Sequence, residues 1–130
     1  AGDTAIIQRM LTARKHLGLM PPAPVQAAMA AALRDDPHVA EQRELYRHRR
    51  GILLPAVQEA GFRVDRSEAG LYLWLTRGED AWTSVEWFAQ RGILVGPGVF
   101  YGAQHSHHVR LSLTATDERI AAAADRLRAG

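Results

Sequence analysis

Leu71-Tyr72-Leu73-Trp74-Leu75-Thr76 decides the fold. Leucine recurs at every second residue, the period of a strand with one face in a core and the other turned outward. Val109-Arg110-Leu111-Ser112-Leu113-Thr114 repeats the pattern near the C-terminus, and Phe62-Arg63-Val64-Asp65 shows it briefly after Gly61. Ser67 to Gly70 supplies a turn between the first two runs. Ile93-Leu94-Val95 reads as a short buried strand, and Gly96-Pro97-Gly98 opens a loop that runs to His108 without starting a helix.

Helical spacing surrounds these runs. Asp3 can cap a helix with apolar positions Ile6, Ile7, Met10, Leu11 and Leu17, and Gly18 can end it. Met20-Pro21-Pro22-Ala23-Pro24 is a stiff connector, because proline lacks a donor and restricts its predecessor. Val25, Ala28, Met29, Ala32 and Leu33 form a second stripe. Asp36-Pro37 predicts a further helix start, with Asp36 as cap. That helix runs from Pro37 to Ala60, with Leu45, Tyr46, Ile52, Leu53, Ala56, Val57 and Ala60 on one side and a kink from Pro55 near Gly51. Asp80 caps a short helix with Trp82, Val85, Phe88 and Ala89 inward. Thr116-Asp117-Glu118 begins the last helix, with Ile120, Ala123, Ala124 and Leu127 inward. The order is α+β: a small, mostly antiparallel sheet with helices on one face, preceded by a helical N-terminal arm. The other sheet face carries Tyr72, Trp74, Arg110 and Ser112.

The 130 residues are 47% hydrophobic and 23% charged, which is globular composition for about one domain. The net charge of +2 is weak evidence for nucleic acid, so none is expected as a partner, and no apolar run is long enough to span a membrane. With no cysteine there are no disulfides, thiolate metal sites or thiol nucleophiles. That composition, with no leader-like start, predicts a reducing, cytoplasmic setting. The cations are fifteen arginines and one lysine, Lys15.

His105, His107 and His108 could suggest zinc, but near-adjacent histidines in one loop rarely converge on one ion, so a solvated loop is expected. The glycines from Gly96 to Gly102 lack the Gly-Lys-Ser/Thr ending of a phosphate loop, and read as a close backbone approach. Arg47-His48-Arg49-Arg50 spreads around a helix and reads as a solvated face, with Glu41 and Glu44 one turn away as partners. Arg110 is mid-strand on the outward face, either a plain exposed arginine or a rigid two-pronged donor for a carboxylate.

Four ordered blocks resemble the C-terminal part of the fold-type I aminotransferases, which use pyridoxal phosphate. They are Arg14-Lys15-His16 through Ala28, Ala60-Gly61-Phe62 with Gly70 to Leu75, Gly92 to Gly102, and His108 to Thr114. Glu68 to Trp74 and Thr114 to Ile120 are similar to the succinyldiaminopimelate aminotransferases of lysine biosynthesis. The resemblance implies that residues 1–24 are an interdomain helix and connector and residues 25–130 a C-terminal small domain. It implies that Arg110 grips the substrate's α-carboxylate, with Gly70, Leu71 and Tyr72 lining the substrate side. It places the Leu17 to Pro22 connector near a homodimer interface.

The resemblance also implies what this chain lacks. The family's cofactor is held by a lysine in a Ser-x-x-Lys stretch, absent here, and Lys15 follows that position in family order. The chain is therefore expected to be a catalytically inactive fragment. It would bind no pyridoxal phosphate itself and would expose surfaces that favour self-association. Its expected partners are its own large domain, a second subunit, and an amino acid or keto acid substrate. The rival expectations are a stand-alone, non-catalytic binding or regulatory module with the same fold and, ranked after it, an RNA-contacting domain using the arginine-rich helix.

Overall fold

The computed structural model describes residues 2–130. It holds helices α1 (Thr4–His16), α2 (Ala23–Ala32), α3 (Asp36–Glu59), α4 (Ala81–Gln90) and α5 (Asp117–Arg128). The strands are β1 (Arg63–Val64), β2 (Tyr72–Thr76), β3 (Gly96–Pro97) and β4 (Val109–Ser112), and two single-turn 3-10 helices lie between β3 and β4. Two compact units divide between Val39 and Ala40, within α3. No helix among the described residues is long and apolar enough to cross a membrane.

The first unit carries α1 and α2. Asp3 Oδ1 accepts from Ile6 N at 3.0 Å, the expected cap. At the other end of α1, Gly18 takes φ +69°, which lets Leu19 N reach back to Arg14 O at 2.9 Å. The connector is shorter than expected and ends at Pro22, because α2 takes in Ala23 and Pro24; a proline in the first turn gives up only an N–H that has no partner within the helix. The apolar stripes of both helices are open: Ile6, Met10, Val25 and Met29 are all exposed.

In the second unit the strands form one antiparallel sheet in the order β1-β2-β4-β3. Tyr72 pairs with Ser112 and Trp74 with Arg110, while Gly96 flanks Arg110 from the edge. Leu73, Leu75, Val109, Leu111 and Leu113 enter one core with Leu53 and Val57 of α3, Phe88 of α4, and Ile120, Ala124 and Leu127 of α5. All three helices therefore back the same sheet face, as the alternation predicts. Tyr72, Trp74, Arg110 and Ser112 are left on the other.

Four further details depart from the sequence expectations. The cap of α3 is Asp35, whose Oδ1 accepts from His38 N at 3.1 Å, so Asp36 is already helical. From there the helix runs through Pro55 for 24 residues, the continuous course that the apolar stripe predicts. Ile93-Leu94-Val95 is not a strand: Ile93 N closes onto Phe88 O at 3.0 Å, pairing with β4 starts only at Gly96, and Leu94 is 93% exposed. In α4 the buried residues are Ala81, Ser84 and Phe88, whereas Trp82 and Ala89 face outward. The phase set by Phe88 admits a serine because Ser84 Oγ donates to Glu79 Oε1 at 2.6 Å. Finally, Arg49 is buried, unlike its neighbours Arg47 and His48.

Candidate functional site

The outward face of the sheet is built around Arg110. Its guanidinium carbon sits 4.3 Å from the centre of the Tyr72 ring and 5.3 Å from that of Tyr101. Tyr72 lies diagonally across from Arg110 because its own partner is Ser112, two residues on. Contact with a ring face uses the guanidinium plane and leaves the N–H edge free. Among the described residues the Arg110 side chain has neither an ion pair nor a hydrogen bond, and its Nε is buried without an acceptor. A buried donor with no partner is costly. The two rings hold the guanidinium on this face.

Trp74 forms the floor beside it. The His108 ring stacks on Trp74 at 5.3 Å and 11°, while Tyr101 and His105 meet the indole edge-on at 5.6 and 5.4 Å. His108 Nε2 lies 3.1 Å from Asp65 Oδ2, and Asp65 is also gripped by Arg63 through Nε at 2.8 Å and Nη2 at 3.0 Å. The 96–102 loop reaches this face because Gly98 packs backbone on backbone. Its N–H donates to His108 O at 2.7 Å, and a Cβ there would overlap the carbonyls of His105 and His108. The close approach read from the glycines is present, and the loop does wind one 3-10 turn over Gly98–Tyr101.

The hydrogen bonds from Arg63, then His108, hold the Asp65 carboxyl down to about 2 from an ordinary 3.8. A lowered folded value means that Asp65 stabilises the fold above its unfolded pKa and loses that effect as pH falls through the folded one. The thermal midpoint of Asp65→Asn should lie below the wild type by a constant margin at neutral pH. That margin should shrink between about pH 4 and pH 2. A margin that stays the same across the acid range would remove the carboxylate from the stability account.

Of the residues singled out from sequence, Arg110 and Tyr72 are brought into contact. Gly70 and Leu71 adjoin them along the chain: Gly70 takes φ +88°, and Leu71 O accepts from Leu113 N at 2.8 Å. Tyr101 was not anticipated. The available signal was the pairing of a glycine-rich loop with the strand that carries Arg110. The histidines of the 105–108 loop are spread over Trp74 and the Glu79 carbonyl. No group of three or more His, Cys, Asp or Glu among the described residues could hold a metal ion.

This face sets an arginine between two tyrosine rings on a helix-backed antiparallel sheet. The aminotransferase class I and II family matches residues 1–127, and the chain belongs to that family. It is 62% identical over 126 residues to the Mycobacterium tuberculosis protein named "Probable aminotransferase Rv1178", covering 97% of this chain and 30% of that protein. It is 58% identical over 127 residues to the Streptomyces rimosus 4-dedimethylamino-4-oxo-anhydrotetracycline transaminase OxyQ, covering 98% of this chain and 35% of OxyQ. An LL-diaminopimelate aminotransferase of Oleidesulfovibrio alaskensis is 36% identical over 108 residues, covering 79% of this chain and 28% of that enzyme. Among solved structures, a Thermus thermophilus aspartate aminotransferase mutant superposes with a TM-score of 0.84 at 26% identity, over 97% of this chain and 36% of that one. The chain thus spans about a third of the length of these relatives.

The family depends on pyridoxal phosphate, whose aldehyde takes a lysine amine. Lys15 is the one lysine, exposed in the last turn of α1 between Arg14 and His16. Exposed there, it has no buried polar shell to aim it, so these residues do not fit the cofactor's anchor.

Proposed function

We propose that this chain is the C-terminal portion of a pyridoxal-phosphate transaminase, in which Arg110 receives the α-carboxylate of the amino acid or keto acid. The carrying observation is the guanidinium fixed over Tyr72 with a buried Nε and no acceptor of its own. In-plane N–H donors match the two oxygens of a carboxylate, and a ring-held fork loses little freedom when it binds. Tyr72 and Tyr101 flank the bound carboxylate, and Gly70 and Leu71 continue the wall. Residues 1–24 serve as interdomain helix and connector, and residues 25–130 as the small domain. The open apolar stripes of α1 and α2 then meet the large domain or the second subunit of a homodimer. The cofactor and its lysine belong to the rest of the enzyme, so the isolated chain is inactive.

The substrate we favour is N-succinyldiaminopimelate, exchanging its amino group with the glutamate and 2-oxoglutarate pair. Support comes from the Glu68 to Trp74 and Thr114 to Ile120 stretches and from diaminopimelate aminotransferases among the relatives. A second reading, transfer to a polycyclic ketone, is favoured by the 58% identity to a 4-dedimethylamino-4-oxo-anhydrotetracycline transaminase. The test is the whole enzyme with pyridoxal phosphate, assayed for glutamate formation from 2-oxoglutarate. N-succinyldiaminopimelate, LL-diaminopimelate and aspartate serve as donors, with the 130-residue chain run in parallel. The expected result is turnover of the succinylated donor above the others, and no rate above free cofactor for the isolated chain. Preference for another donor overturns the substrate, and turnover by the isolated chain overturns the fragment reading.

A further inference from the structure

We propose that Arg50 is a positioning residue for the substrate face: from α3 it holds the turn that leads into β2, and so sets where Tyr72 lies against Arg110. The proposal rests on the reading of Arg110 as the carboxylate fork. Arg50 Nη1 donates to Ser67 O, and Nη2 donates to Gly70 O at 2.9 Å. These carbonyls stand at the two ends of the turn, with Glu68 and Ala69 exposed between them. One planar guanidinium therefore spans the turn, which a single-point donor could not do.

The turn needs such a brace. Arg66 adopts φ +48°, a left-handed conformation that a residue with a side chain resists, and Gly70 follows at φ +88°. The internal ties are few: Ser67 Oγ donates to Asp65 O at 3.1 Å and accepts from Trp74 N at 3.0 Å. Gly70 is two residues from Tyr72. The Leu71 carbonyl between them takes the Leu113 N–H that ends the β2-β4 ladder. A shift at Gly70 O thus passes through covalent geometry and one ladder bond to the ring beneath Arg110.

The neighbouring Arg49 does a different job. Its Nε donates to Asp117 Oδ1 at 2.6 Å and its Nη1 to Leu113 O at 3.2 Å, which joins β4 to α5 from a buried position. Its loss is a stability defect. Arg50 is half-buried, on the rim of a cavity of about 250 Å³ that it shares with Tyr46, Glu68 and Leu71, and its side-chain hydrogen bonds go to the turn.

The test uses the whole transaminase carrying Arg50→Gln, Arg50→Lys or, as control, Arg49→Gln. It reads KM and kcat for the amino donor, the thermal midpoint, and amide hydrogen exchange across residues 68–72. For Arg50→Gln the expected KM rise is about tenfold with kcat changed less than about threefold, since a displaced wall weakens binding before it alters the reacting atoms. Exchange should quicken at residues 68–72 and stay unchanged in the core around Phe88. Arg50→Lys, which reaches one carbonyl, should recover part of both effects, and it carries the same test if Arg50→Gln does not fold. Unchanged exchange overturns the brace. Quickened exchange with unchanged KM overturns the positioning role. A KM rise only in step with a falling thermal midpoint, as in Arg49→Gln, reduces Arg50 to a structural residue. If Arg110→Ala itself leaves KM unchanged, the carboxylate reading fails, while the exchange data still report on the brace.

Discussion

Arg110→Ala in the whole transaminase is expected to lower kcat/KM for amino acids by roughly 30- to 1000-fold, equivalent to about 2–4 kcal/mol of lost carboxylate binding. The size follows from the site. The guanidinium lies against two tyrosine rings and is partly shielded from water, so its bond to a carboxylate is weakly screened. Removing it leaves the substrate's carboxylate facing the tyrosine rings, without a counter-charge. Arg110→Lys should recover little, because an ammonium offers no planar fork and cannot lie flat on Tyr72. Tyr72→Phe keeps the ring face and should stay close to wild type, whereas Tyr72→Ala frees the fork and should raise KM. Steady-state kinetics with an α-amino acid and with an amine lacking the carboxylate give the contrast. Loss confined to the carboxylated donor identifies Arg110 as the fork. Equal loss for both would place its effect elsewhere.

Phe88→Ala is expected to destabilise the second unit by about 3–5 kcal/mol, enough to unfold much of it if its total stability is ordinary. Phe88 is fully buried and meets Phe62 at 4.8 Å and Trp87 at 5.1 Å between ring centres. It joins α4 to the segment entering β1, and its carbonyl accepts from Ile93 N where the chain turns toward β3. The cavity left behind would be lined by aromatic rings that cannot collapse without moving α4. Urea unfolding followed by tryptophan fluorescence measures the shift. Trp82→Ala is the comparison: that side chain is half exposed, touches Phe100 edge-on, and should change stability by less than about 1 kcal/mol. A similar loss from both would mean that α4 packs in another phase.

Much of this protein was legible in its amino-acid order, because the signals concerned are local. A two-residue period places Leu73, Leu75, Leu111 and Leu113 on one side whatever they pack against, and with them Tyr72 and Arg110 on the other. The caps at Asp3, Asp80 and Thr116 need only the next few residues, and all three accept a backbone N–H. The ordered blocks from Arg14 to Thr114 suffice for the family.

Tertiary structure decided what depends on distant partners. Trp82 and Ser84 compete for the inner side of α4, and the packing of Phe88 on Phe62 settles the phase that buries the serine. Ile93 to Val95 has strand composition, yet its first amide closes onto Phe88 and pairing begins at Gly96. Arg47, Arg49 and Arg50 look alike in a basic run. One pairs with Glu44 on the surface, one is buried between Leu113 and Asp117, and one spans the Ser67 to Gly70 turn. Tyr101 joins Arg110 only because β3 lies beside β4. Periodicity assigns a face from neighbours a few residues away. The identity of what meets that face is set by contacts tens of residues apart, which forms only when the sheet and its helices assemble.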